Sequence, residues 1–96
     1  MNMNVSLADV GKFVALGGSF STHAPSDHPK KWPDVWLVPE AAVVPKGTPI
    51  QLSPEVNSVT PAPELTVVLG DDLWRASPAE ARAAVEGFTV SNDVSI

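Results

Sequence analysis

Residues 63–96 read Pro63-Glu64-Leu65-Thr66-Val67-Val68-Leu69-Gly70-Asp71-Asp72-Leu73-Trp74-Arg75, then Ala76-Ser77-Pro78-Ala79-Glu80-Ala81-Arg82-Ala83-Ala84-Val85-Glu86-Gly87, then Phe88-Thr89-Val90-Ser91-Asn92-Asp93-Val94-Ser95-Ile96. The run 65–69 is apolar and rich in β-branched residues, long enough for a strand and too short for a helix. Gly70-Asp71-Asp72 closes it with turn chemistry. Ser77-Pro78-Ala79-Glu80 has the form of a capping box: the Ser77 hydroxyl accepts the orphan N–H of Glu80, and the Glu80 carboxylate reaches back to the N–H of Ser77. Pro78 falls at the first helical position, where a missing N–H costs nothing. Residues 79–86 are strong helix formers, Gly87 supplies a stop, and Phe88-Thr89-Val90 starts a second strand. The expected unit is strand, turn, short helix near 78–86, strand.

Working outward, the rest of the chain is broken into short pieces. Residues 12–16 read as a strand closed by Gly17-Gly18, and 35–38 as a strand ended by Pro39. Residues 41–44 form an apolar run before Pro45-Lys46-Gly47-Thr48, and Ile50-Gln51-Leu52 alternates as a short strand would. Pro25, Pro29 and Pro33 break any regular element in 19–33, and Pro54, Pro61 and Pro63 do the same in 53–63. Ten prolines punctuating β-like runs favour a β-rich α+β fold with one helix. Residues 1–11 are polar and mixed and read as an N-terminal extension that is poorly ordered.

Composition narrows the classes of function. The 96 residues make at most one small domain, with a hydrophobic content of 44%. The net charge of −5 argues against a nucleic-acid partner, which needs a basic face, and there is no polybasic patch for a membrane surface. No apolar run approaches the ~20 residues of a membrane span, and no charged segment precedes an apolar one as in a signal peptide. The absence of cysteine removes disulfides and thiolate metal sites and suits a cytoplasmic location.

The pattern of 64–96 resembles the fumarylacetoacetate hydrolase superfamily: Glu-Leu-x-Val-Val-x-Gly, a Ser-x-x-Glu-Ala helix, then Gly-aromatic-Thr-Val-x-Asn-Asp-Val-Ser. A weaker similarity covers 12–63. Val14 to Ala24 is similar to the family's Val-Gly-x-Asn-Tyr-x-x-His-Ala-x-Glu segment. Trp36-Leu37-Val38-Pro39 and Pro45-Lys46-Gly47-Thr48-Pro49-Ile50 are similar to its aromatic-x-Lys-Pro and Pro-Gly-Asp-x-Ile runs. The resemblance implies that 12–96 is an incomplete domain of this family, with its mixed β fold and one short helix.

The resemblance also implies chemistry. Family members hold Mg²⁺ or Mn²⁺ through a Glu-x-Glu pair and a later Asp, hard oxygen ligands suited to hard ions. The metal chelates a small diketo or keto acid and stabilises the developing enolate, while a His activates water. Carried over position by position, Glu64 is the second Glu of the pair, Asp93 the later Asp and His23 the water-activating His. Ala62 stands in place of the first Glu. Ser26 stands where the partner of the His would be, Ser19 and Phe20 replace Asn-Tyr, and Val38 replaces the Lys. The implied partners are a small keto-acid substrate and either a second copy, as a homodimer, or a partner supplying a C-terminal half.

Taken without the resemblance, Glu64 and Asp93 are solvated carboxylates at strand ends. His23 and His28 are polar residues of a proline-rich loop, and Trp32, Trp36 and Trp74 are packing residues. A shared metal needs the two strands to bring Glu64 and Asp93 to one end. Parallel neighbours would hold them roughly 17–20 Å apart, at about 3.3 Å per residue. An intervening helix makes a parallel crossover conceivable. The metal chemistry implied by the resemblance requires the ends to converge.

Overall fold

The computed structural model describes residues 6–20 and 32–96. Its regular elements are β1 (Phe13–Gly17), β2 (Asp34–Val38), β3 (Pro63–Leu69), α1 (Pro78–Ala83) and β4 (Val85–Asn92). Two 3-10 turns at Leu7–Asp9 and Glu40–Ala42 complete the set. The described residues are therefore β-rich with one short α-helix. They group into two units, Ser6–Ile50 and, in the second half, Gln51–Ile96.

In the first unit β1 and β2 pair antiparallel, with Phe13 opposite Val38, Ala15 opposite Trp36 and Gly17 opposite Asp34. Alternation puts Val14, Leu16, Val35 and Leu37 on one face, and all four are more than half exposed. On the other face the Trp36 ring lies across Gly17. A Cβ there would come within 2.9 Å of the indole, so the glycine is required by close approach. A 3-10 turn occupies Leu7–Asp9, within the segment read as an N-terminal extension.

In the second unit β3 and β4 pair antiparallel, from Pro63 opposite Asn92 to Val68 opposite Gly87. The same register runs on past the strand ends. Asp93 N–H donates to the Ala62 carbonyl (2.9 Å), and Thr60 and Ser95 exchange both backbone bonds (2.8 and 3.0 Å). A bulge between Val68 and Leu69 then shifts the register, so that Leu69 faces Val85. Gly70 N–H closes the hairpin on the Ala84 carbonyl at 2.9 Å.

The capping box forms as expected. Glu80 N–H donates to Ser77 Oγ (3.2 Å), and Ser77 N–H donates to Glu80 Oε2 (2.7 Å). The Ser77 N–H, and after it the Ser77 side chain, holds the Glu80 carboxyl below the usual carboxylate range by favouring its charged form.

The helix is shorter than expected. It ends at Ala83, and Gly87 is a buried strand residue opposite Val68 and no helix stop. β-branched Val85 pairs with Leu69 and draws the chain into the ladder two residues before the glycine. Ile50-Gln51-Leu52 is not a strand, and among the described residues no strand pairs with it. Trp74, read as a packing residue, is 88% exposed, and Trp32 is 75% exposed.

Alternation in the second hairpin separates two unlike faces. One carries Thr60, Ala62, Glu64, Thr66 and Val68 against Gly87, Thr89, Ser91, Asp93 and Ser95. The other carries Leu65, Val67 and Leu69 beside Phe88 and Val90. Exposure is inverted relative to polarity. Glu64, Thr66 and Val68 are half-buried, whereas Leu65 and Val90 are 64% and 71% exposed. Ala84 is the one buried apolar side chain among the described residues.

Candidate functional site

The mainly polar face of β3–β4 carries Glu64 and Asp93, the two metal ligands expected from the sequence. Glu64 lies inside β3, one residue past its start, and Asp93 follows the last residue of β4. Because the strands are antiparallel, those two places are at the same end of the ladder. Glu64 faces Ser91, and Ala62 faces Asp93 through the Asp93 N–H bond. Glu64 and Asp93 are thus diagonal neighbours on one face, a relation that spans about 7–8 Å between Cα atoms. The 17–20 Å separation of a parallel arrangement does not arise.

Backbone bonds fix this corner. Ala62 N–H donates to Asn92 Oδ1 (3.0 Å), while the Ala62 carbonyl accepts from Asp93 N–H. Further along the same face Thr66 Oγ1 donates to Ser91 Oγ at 2.7 Å. Asn92 was not singled out for any role by sequence reasoning. Its role rests on the register, which sets the N–H of the proline-flanked Ala62 beside its amide side chain.

Two carboxylates at one corner are hard donors of the type that divalent ions prefer. The place directly across from Asp93 belongs to Ala62, which offers no donor. Among the described residues no group of three or more His, Asp and Glu side chains could hold a metal ion. The donor set fits a divalent ion in kind and falls short in number. His23, with Ser26, lies outside the described residues, so its relation to this corner is not part of the geometry. Val38, at the position of the family's Lys, is half-buried in β2 opposite Phe13. A shallow depression lined by Phe13, Leu37, Val38 and Pro39 belongs to the first unit and contains neither Glu64 nor Asp93.

The sequence model described as Fumarylacetoacetate (FAA) hydrolase C-terminal matches residues 5–96. The chain belongs to the fumarylacetoacetate hydrolase family. A relative in this comparison is "Protein Rv2993c" of Mycobacterium tuberculosis (strain ATCC 25618 / H37Rv), 30% identical over 86 residues, covering 88% of this chain and 32% of that protein. The chain therefore spans about a third of the length of the curated relative it matches. No solved structure matches it. Among the described residues no helix is long and apolar enough to cross a membrane.

Proposed function

We propose that this chain contributes the Glu64–Asp93 carboxylate corner of a fumarylacetoacetate-hydrolase-like domain. The activity of that domain would be metal-dependent hydrolysis or lyase chemistry on a small diketo or keto acid, in the cytoplasm. The observation that carries this reading is the antiparallel register, which sets Glu64 diagonal to Asp93 on one face with position 62 across from Asp93. A bound Mg²⁺ or Mn²⁺ would act as a Lewis acid on the dicarbonyl group. Glu64 and Asp93 would hold the ion, and His23 would take a proton from the attacking water. Asn92 would keep the strand end in place by holding the Ala62 N–H.

A second reading is favoured by a specific observation, the methyl group of Ala62 where a third carboxylate would stand. On that reading the chain is a non-catalytic homologue, or a half-domain that acts only with a partner chain. Calorimetric titration with Mn²⁺ tests the site directly. The native chain should bind feebly, Ala62→Glu should tighten binding by at least about ten-fold (about 1.4 kcal/mol), and Asp93→Asn should weaken it below detection. If neither substitution changes the affinity, the corner is not a metal site.

A further inference from the structure

Four positions on the polar face form a rectangle. Ala62 faces Asp93, and two residues along the ladder Glu64 faces Ser91. The long sides run along the strands, about 6.6 Å for two residues. The short sides cross between the strands, about 4.5–5.5 Å between Cβ atoms. Any three corners of a rectangle enclose the same triangle, made of one long side, one short side and the diagonal. Carboxylates at 62, 64 and 93, the set that the family pattern implies, would use the diagonal from Glu64 to Asp93 with its apex at 62. Here that apex is the methyl group of Ala62. The opposite apex, on the same diagonal, is the hydroxyl of Ser91. Glu64, Ser91 and Asp93 therefore occupy a triangle congruent with the one that Ala62 breaks.

Ser91 is also held for such a role. Thr66 Oγ1 donates to Ser91 Oγ at 2.7 Å. A hydroxyl has one proton and two acceptor sites, so this bond occupies one lone pair and leaves the other. Ser91 makes no second side-chain bond among the described residues. Thr66 is half-buried and β-branched, which restricts its χ1 and fixes the donor. Ser91 and Asp93 are exposed, so the corner is open to ions from solvent. A neutral hydroxyl beside a carboxylate is a proven ligand pair for Mg²⁺ in phosphate-binding loops. Exchanging a carboxylate for a hydroxyl keeps three oxygens and removes one negative charge, which lowers affinity without abolishing it.

We propose that Ser91 is the third oxygen of the corner, so that Glu64, Ser91 and Asp93 together form a site for a hard divalent cation, Mg²⁺ or Mn²⁺. Thr66 is a positioning residue that turns the free lone pair of Ser91 toward the two carboxylates. This rests on the reading of Glu64 and Asp93 as metal ligands, and adds to it a ligand that the family pattern does not supply.

Mn²⁺ is titrated into the full chain, and its paramagnetic broadening of backbone amide signals is read by NMR, which registers weak binding. Broadening should centre on Glu64, Ser91 and Asp93. Ser91→Ala should raise the dissociation constant at least about ten-fold. Ser91→Asp, which places a carboxylate at the apex opposite Ala62, should tighten binding about as much as Ala62→Glu does. Thr66→Val should weaken binding, and Thr66→Ser, which keeps the hydroxyl, should not. A purely structural role for Thr66 would not separate those two variants. If Asp93→Asn removes the broadening while Ser91→Ala and Ser91→Asp leave the affinity unchanged, the carboxylate corner stands and the proposal is overturned. Tightening by Ala62→Glu without tightening by Ser91→Asp overturns it as well. If no substitution at 62, 91 or 93 changes the broadening, the corner is not a metal site and both readings fall. The strand shifts of Pro63–Leu69 and Val85–Asn92 report whether each variant is folded, and Ser91→Asp decides the matter if Ser91→Ala is not.

Discussion

The two hairpins are built from the same material and finish differently. β1 and β2 pair over five residues each in one simple register, with residues 18–33 between them. β3 and β4 pair over a longer stretch, carry the register out to Thr60 and Ser95, and are joined through a capped helix and a bulge. Both leave an apolar face exposed. The difference lies in how each is held. The first depends on a contact across the strands, the Trp36 ring over Gly17. The second depends on a continuous ladder with local devices at both ends, the Ser77–Glu80 box and the Asn92–Ala62 bond. An isolated two-stranded hairpin is marginal in water, so these features decide whether either one persists.

The largest effect is expected from breaking the longer ladder. Thr66 lies at a hydrogen-bonded position, opposite Thr89, and its hydroxyl also donates to Ser91. Thr66→Pro removes the inward N–H and leaves a carbonyl unpaired, a loss of about 1–3 kcal/mol. Backbone chemical shifts of Pro63–Leu69 and Val85–Asn92 should lose their strand character. Retention of those shifts would show that the register described for β3 and β4 is wrong.

Next comes the shorter hairpin. Gly17→Ala forces the Trp36 indole away, since its nearest ring atom would be 2.9 Å from the new Cβ. The cost should be about 1 kcal/mol, the low end for overpacking because the ring is partly exposed. Displaced side-chain resonances of Trp36 in the alanine variant would report it. Unchanged resonances would mean that the contact does not hold this hairpin.

A comparable but more local effect is expected at the connection. Ser77→Ala removes the acceptor for Glu80 N–H and should cost about 1 kcal/mol of helix stability. Helical Cα shifts over Pro78–Ala83 should fall while the β3–β4 shifts hold. If they do not fall, the helix is held by something other than its cap.

The smallest effect is set by pH. The Glu80 carboxyl lies below its ordinary range when folded, because the Ser77 N–H bonds its charged form. Its contribution is therefore present above the unfolded value and is lost as pH falls through the folded one. The helix shifts should weaken on acidification. Glu80→Gln, whose amide oxygen accepts the same bond, should show helix shifts that do not respond to pH in that range.

These two hairpins were not equally legible. The second could be read because its signals are local: β-branched alternation over 65–69, the Ser77-Pro78-Ala79-Glu80 box, and the aromatic-Thr-Val run after Gly87. Legibility failed where a tertiary partner overrode a local preference. Gly87 looked like a helix stop, and pairing with Val68 made it a strand residue. Ile50-Gln51-Leu52 alternated correctly and pairs with no strand among the described residues. For the candidate site, the sequence marked Glu64 and Asp93 but could not settle strand direction, since a helix between two strands fits either sense. Asn92 went unassigned because its role depends on which backbone N–H the register leaves beside it.

Ala62 touches its surroundings through its backbone, which gives one bond to Asn92 and receives one from Asp93. Neither bond involves the half-buried side chain. A lineage could therefore exchange glutamate for alanine at this position, or the reverse, with the hairpin intact at every step. A glutamate there would face Asp93, a like-charge pair that folding alone disfavours, so demand for the reaction would have to keep the carboxylate in place. Within such a family the shape can be inherited long after the chemistry has drifted away, and one codon could return it.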